Sequence, residues 1–266
     1  MEARLTGTIR SDGELDAWLA GGGLRGVRTL VAWNLTLTDA GACALAGAAD
    51  ARDLVDVDLS WNRVGPHGAG SLAGALPQLR ALRLYHNDVG AEGARAVADA
   101  APSLERLNLC GNGVGDDGAR HLARGLACVR DLALGFDDLG DAAARSLACL
   151  RSLETLNLRA NRIGRDGAAA LLAGELPSLR RLGLDDNEGL GDEGLEAILA
   201  SPGFSTLTWL NLGGVGLDDR AVERFARVPR GACALRELRV HDNDLSDEAC
   251  AALRALPALA GCEVRA

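Results

Sequence analysis

The feature that most constrains this chain is a segment that repeats itself along nearly its whole length. Reading L-x-x-L-x-L-x-x-N-x-L-x-x-x-G from Leu54 picks out Leu54, Val57, Leu59, Asn62, Val64 and Gly68. The pattern returns from Leu79 (Leu82, Leu84, Asn87, Val89, Gly93) and from Leu104 (Leu107, Leu109, Asn112, Val114, Gly118). Further copies start at Val129, Leu153, Leu179, Leu207 and Leu235, with degenerate ones at Val27 and, as a half copy, at Leu259. The starts are 27, 25, 25, 25, 24, 26, 28, 28 and 24 residues apart. A steady period of this size specifies a stacked solenoid, because no single copy can bury its own leucines.

Each copy has two halves. The first, such as Leu104 to Leu109, alternates apolar and polar residues as a strand with one buried face does. The second, such as Gly118 to Leu126, has apolar residues at helical spacing. Acidic residues (Asp116, Asp117, Asp192, Glu193, Asp218, Asp219, Asp247, Glu248) cluster where these helices begin, the end that favours negative charge. Prolines 77, 102, 177 and 257 recur two residues before the next strand leucine, where a helix has just ended. Ten parallel strands are therefore expected near residues 31, 58, 83, 108, 133, 157, 183, 211, 239 and 263.

A ladder asparagine follows the strand in six copies: Asn62, Asn87, Asn112, Asn161, Asn187 and Asn243. Its amide both donates and accepts, so it can satisfy backbone groups in the turn. Asp137 replaces it in the fifth copy, and Leu35 and Val215 cannot do this job, so those turns are expected to be built differently. An extra residue at Glu188-Gly189-Leu190 predicts a local distortion near residues 185 to 220.

The motif resembles the leucine-rich repeat family. The helical G-A-x-x-L-A runs, such as Gly68 to Ala73, are similar to its ribonuclease-inhibitor-like class. The resemblance covers about residues 24 to 266. It implies an α/β fold: a right-handed β/α leucine-rich repeat solenoid, or horseshoe, with a parallel concave sheet and convex helices. It also implies a protein that binds other proteins. Residues 1–23 read as an N-terminal cap, with an additional strand over Leu5 to Ile9. A capping box at Ser11 to Glu14 precedes a helix presenting Leu15, Trp18 and Leu19. Residues 24–266 read as the repeat domain, about nine full repeats and a terminal half repeat.

Composition narrows the function. No apolar run is long enough to span a bilayer, and the N-terminus has no secretory pattern. Seven cysteines form no C-x-x-C pair and read as reduced thiols in a cytoplasmic protein. The net charge of −9 argues against nucleic-acid and anionic-membrane binding. All 28 basic residues are arginine, which points to a GC-rich, bacterial genome; avoidance of a lysine-modifying enzyme is the sharper alternative.

Catalytic readings fall away. Gly113 to Gly118 matches G-x-G-x-x-G, but Gly115 and Gly118 are repeat positions shared with Gly90 and Gly93, so a dinucleotide site is not expected. The acidic runs near Asp186 and Asp242 lack the glycine and distal glutamate of a calcium loop. Four histidines lie in four different repeats with no nucleophile in register. No cofactor, metal or catalytic site is expected.

The binding information lies in the strand positions that project onto the concave face. Five of the eight aromatic residues (Trp33, Trp61, Tyr85, Phe136, Trp209) fall in these slots, beside His86 and the arginines Arg83, Arg106, Arg159 and Arg239. Exposed aromatics beside arginine are what interface hot spots are made of, so these ten residues are the candidate partner-binding set. The expected function is a non-enzymatic scaffold, recognition subunit or inhibitor. The alternatives are a GTPase-activating protein of the repeat type, using Arg63 or Arg162, and a recognition subunit of a larger enzyme assembly. The half copy with Leu259, Cys262 and Val264 in core positions suggests self-association or docking through the C-terminal edge.

Overall fold

Every copy of the repeat becomes one three-residue strand, a tight turn and one helix. The computed structural model describes residues 1–5 and 9–266 and divides into two compact units, Met1–Asp137 and Asp138–Ala266.

In the first unit the strands are β1 (Glu2–Arg4), β2 (Thr29–Val31), β3 (Asp56–Asp58), β4 (Ala81–Arg83), β5 (Arg106–Asn108) and β6 (Asp131–Ala133). They lie side by side in chain order, all parallel. The helices α1 (Asp12–Ala20), α2 (Asp39–Gly47), α3 (Pro66–Ala75), α4 (Gly90–Ala100) and α5 (Gly115–Gly125) alternate with them. The second unit repeats the plan. Its helices are α6 (Asp141–Leu147), α7 (Arg165–Ala173), α8 (Gly191–Ala200), α9 (Arg220–Ala226) and α10 (Asp247–Ala255). Its strands β7 (Thr155–Asn157), β8 (Arg181–Gly183), β9 (Trp209–Asn211), β10 (Glu237–Arg239) and β11 (Glu263–Arg265) are likewise parallel and consecutive. The ten strands expected from the period all form, each centred within one residue of its anticipated position.

The register explains the core. Leu30, Val57, Leu82, Leu107 and Leu132 are direct cross-strand partners and all are buried. Burying one such side chain contributes about 1.5–3 kcal/mol, and the copies share that gain because each leucine is covered by its neighbours' leucines.

The ladder asparagine does more than close its own turn. Asn87 Nδ2 donates to Leu84 O in its own copy and to Leu59 O in the copy before, both at 3.0 Å, while its Oδ1 accepts from Val64 N at 2.8 Å. Asn187 makes the same set with Leu184, Leu158 and Ile163. Each buried amide thus ties two successive turns together. The copies lacking it are buried apolar plugs at Leu35 and Val215. Their turns take a left-handed residue directly afterwards, Thr36 (φ 57°) and Gly216 (φ 80°). Gly113 and Asp138 do the same after Asn112 and Asp137, so this second turn form is not confined to copies without an amide.

The acidic residues at the helix starts also act between copies. Asp39, on the first turn of α2, accepts from Gly65 N and Gly68 N at the start of α3, at 2.6 and 2.8 Å. In the second unit Asp141 accepts from Gly164 N, and Asp219 from Ser246 N. A carboxylate from one helix thereby satisfies the orphan amides of the next.

At the N-terminus, Ser11 Oγ accepts from Glu14 N as a capping box requires, while Glu14 reaches one residue further back, accepting from Arg10 N in place of Ser11 N. Leu15 is buried, whereas Trp18 and Leu19 are only half-buried. The strand anticipated over Leu5 to Ile9 falls partly on residues 6–8, which lie outside the described residues; the strand that pairs with β2 is Glu2–Arg4. Near the expected irregularity, Leu190 N closes a local turn on Asn187 O at 3.0 Å, and a 3₁₀ turn at Pro202–Thr206 lengthens the next connection. At β11, Leu259 and Val264 are buried and Cys262 is half-buried.

Candidate functional site

The slot immediately before each ladder position is left-handed in every copy. In the first unit it holds Asn34, Trp61, His86, Gly111 and Phe136, with φ between 52° and 70°. In the second it holds Ala160, Asp186, Gly214 and Asp242, with φ between 51° and 62°. Glycine, asparagine and aspartate suit this region; a bulky side chain there costs on the order of 1 kcal/mol. Trp61 and Phe136 are the bulky residues that carry that cost. Because the backbone turns there, their rings stand off the strand face instead of packing under it.

Exposure singles out the same positions. Among the described residues the exposed large apolar side chains are Met1, Trp33 (46 %), Trp61 (50 %) and Phe136 (50 %). All but Met1 belong to strand-face slots of the first unit. Trp61 stacks on His86 with ring centroids 4.2 Å apart and meets Tyr85 edge-on at 5.4 Å. Tyr85 and His86 are 4.5 Å apart. Trp33, Trp61, Tyr85 and Arg83 line one groove of about 560 Å³. Five of the ten residues anticipated for binding therefore come together after β2, β3 and β4. Arg106 adjoins them through Asp56, 3.7 Å from its Nη2. Phe136 stands further along the same sheet, after β6.

Arg159, Trp209 and Arg239 belong to the second unit, and there the charges are largely consumed internally. Arg159 reaches Asp185 at 3.1 Å and Asp186 at 2.8 Å. Arg239 pairs with Glu237 at 2.7 Å and holds that carboxyl below its ordinary range. The Trp209 ring lies between two guanidinium groups, Arg181 at 4.6 Å and Arg239 at 5.3 Å. Cation–π contacts of this kind occupy the ring faces that a partner would use. Of the arginines considered for GTPase activation, Arg162 is paired with Asp138 at 2.8 Å and Arg63 is exposed.

Sequence reasoning passed over one contribution. Glu2 and Arg4 line the groove because β1 extends the sheet beyond β2, and residues 1–4 carry no alternation long enough to signal a strand. Asp58 also lines it, and its importance depends on which neighbours are ion-paired.

Burial shifts several acidic groups, two of them by a large amount. Burial pushes the Asp137 carboxyl up from 3.8 to about 6, against hydrogen bonds from the Asn112 and Val114 amides at 2.8 and 3.3 Å that favour its charged form. Burial pushes the Cys110 thiol up to about 11, so it is inert at neutral pH. Neither adjoins a cavity with a nucleophile. Among the described residues no group of three His, Cys, Asp or Glu side chains converges as a metal site requires, and no helix is long and apolar enough to cross a membrane.

Comparison with known proteins agrees with this architecture. A Leucine Rich repeat family model matches residues 51–73, 76–98, 100–123, 149–172 and 175–199. No curated protein sequence matches the chain. Among solved structures, the chain is similar to an internalin (inlF) from Listeria monocytogenes. The TM-score is 0.62 at 18% identity, over 94% of this chain and 69% of that one. A weaker likeness is to a chain of the Rad7 and Elc1 complex from yeast, with a TM-score of 0.45 at 16% identity over 92% and 76% of the two chains. With the leucine core, the ladder amides and one strand–helix unit per copy, the five matched repeats make this chain a leucine-rich repeat protein of α/β solenoid fold.

Proposed function

We propose that the chain is a non-enzymatic protein-interaction module and that the strand face of the first unit is its binding surface. Trp33, Trp61, Tyr85, His86 and Arg83 form the centre of that surface, and Arg106 its edge. The observation that carries this reading is the exposure of Trp61 at a left-handed position. The repeat tolerates glycine or asparagine there, as at Gly111 and Asn34, so neither packing nor turn geometry calls for an indole. Rings stacked on one another, with open faces and an arginine beside them, match the composition of interface hot spots. The partner would be another protein, and the module a scaffold, recognition subunit or inhibitor.

Capture of partners by the full chain, followed by affinity measurement with the recovered protein, tests this. A Trp33→Ala/Trp61→Ala/Tyr85→Ala variant should lose the partner. An Arg95→Ala/Arg120→Ala variant, altered on α4 and α5, should keep it. Equal losses, or loss from the helix variant alone, would place the site elsewhere.

A further inference from the structure

The four charges of the groove sum to zero, but they are not evenly paired. The groove carries four charged side chains, Glu2, Arg4, Asp58 and Arg83, between the rings of Trp33, Trp61 and Tyr85. Arg4 Nε lies 2.5 Å from Glu2. Arg83 is held by both oxygens of Asp56, at 2.6 and 3.3 Å. Among the described residues Asp58 has no ion-pair partner. One of its oxygens accepts from Ser60 N at 2.9 Å, and the other is left to the groove. Asp58 sits on β3, the middle of the three strands that carry the rings, in register with Val31 on one side and Arg83 on the other. It is half-buried, so its charge is only partly screened by water.

A carboxylate without a cationic partner, in a groove also lined by aromatic rings, is complementary to a cation. The second unit displays the matching pair within itself, since Trp209 is covered by the guanidinium groups of Arg181 and Arg239. Among the described residues no guanidinium lies over the rings of Trp33, Trp61 or Tyr85, and the nearby Arg83 is held at Asp56. A planar guanidinium can stack on an indole and donate two N–H groups to one carboxylate at the same time. An ammonium can satisfy only one of these geometries well.

Resting on the binding surface described above, we propose that this groove receives a single arginine side chain presented by the partner protein, its guanidinium hydrogen-bonded to Asp58 and stacked against the rings of Trp33 and Trp61.

The indole N–H signals of the full, ¹⁵N-labelled chain provide the test. The probes are three capped pentapeptides, Gly-Ala-X-Ala-Gly, with arginine, lysine or citrulline at X. Citrulline keeps the shape of arginine and loses the charge. The arginine peptide should shift the Trp33 and Trp61 signals and leave Trp18 and Trp209 in place. Citrulline should bind at least about tenfold more weakly, as should the arginine peptide to Asp58→Asn. That substitution keeps an acceptor for Ser60 N, and unchanged Trp18 and Trp209 signals would show that the fold is intact. Lysine or citrulline binding as tightly as arginine would overturn the proposal. So would undiminished binding to Asp58→Asn, or no shift at Trp33 and Trp61. The captured partner separates the two claims: if the triple ring variant loses it while Asp58→Asn retains it in full, the binding surface stands and the arginine does not. If both variants retain it, both claims fall.

Discussion

Trp61 and Trp209 each occupy a strand-face slot, one in each unit, and their surroundings are opposite. Trp61 leans on His86 and Tyr85, rings that bring no fixed charge of their own, and half of its surface meets solvent. Trp209 is covered by Arg181 and Arg239, and Arg239 is in turn neutralised by Glu237. One cluster is left with open ring faces and an unpaired carboxylate. The other has satisfied itself with cations from its own chain. Enrichment of aromatics in strand-face slots therefore has two outcomes in one protein: in the first unit exposed rings, which we propose meet a partner, and in the second a structural contact between neighbouring repeats.

The units differ beneath that face too. The first ends its ladder in an acid, Asp137, whereas the second uses the amides Asn161, Asn187 and Asn243. Its carboxyl is raised from 3.8 to about 6, so the fold favours the protonated form. The resulting penalty is absent below the unfolded value, grows between about pH 4 and 6, and is complete at neutral pH. Asp137→Asn should therefore stabilise the chain by about 3 kcal/mol at neutral pH and by much less near pH 4. Urea denaturation of both proteins across that range measures it. A constant difference between them would show that the acid is not buried in its charged form, and the contrast between the ladders would disappear.

The second test concerns binding. Trp61→Ala should weaken the captured partner by about 2 kcal/mol or more, while Trp209→Ala should cost less than about 0.5 kcal/mol. Comparable losses would erase the distinction between an open and a self-satisfied ring. Stability gives the smallest effect, with the order reversed. Trp209→Ala removes a ring held between two cations and should destabilise by about 1 kcal/mol. Trp61→Gly relieves a left-handed side chain as it removes a ring stack, and the two nearly cancel to within about 0.5 kcal/mol. Thermal melting of the two variants reads this directly; a large loss for Trp61→Gly would mean that the indole is there for packing.

Much of the architecture was legible in the residues. The positions of ten strands followed from the leucine period, because a core built by stacking leaves little freedom in where each leucine lies. The capping box at Ser11 was legible because its partners are three residues apart. The strand at Glu2–Arg4 was not, since an edge strand of one charged, one small and one charged residue has no pattern of its own. The ladder asparagine was read as closing its own turn, and its bonds to the preceding copy emerged only in three dimensions. The aromatic slots could be enumerated from the motif, but not sorted.

What the sequence determined by itself is the repeat: its period, its core, its turn chemistry, and the slots in which side chains face outward. Those follow from local periodicity and from apolar area that one copy cannot hide alone. What only the tertiary structure decided is which of the outward side chains remain available. Arg83 is taken by Asp56, 27 residues away, and Arg159 by Asp186, also 27 residues away, while among the described residues Asp58 has no cationic partner and accepts only from Ser60 N. An ion pair depends on angstrom distances and rotamers across neighbouring strands, and outward-facing charged residues look alike until those distances exist.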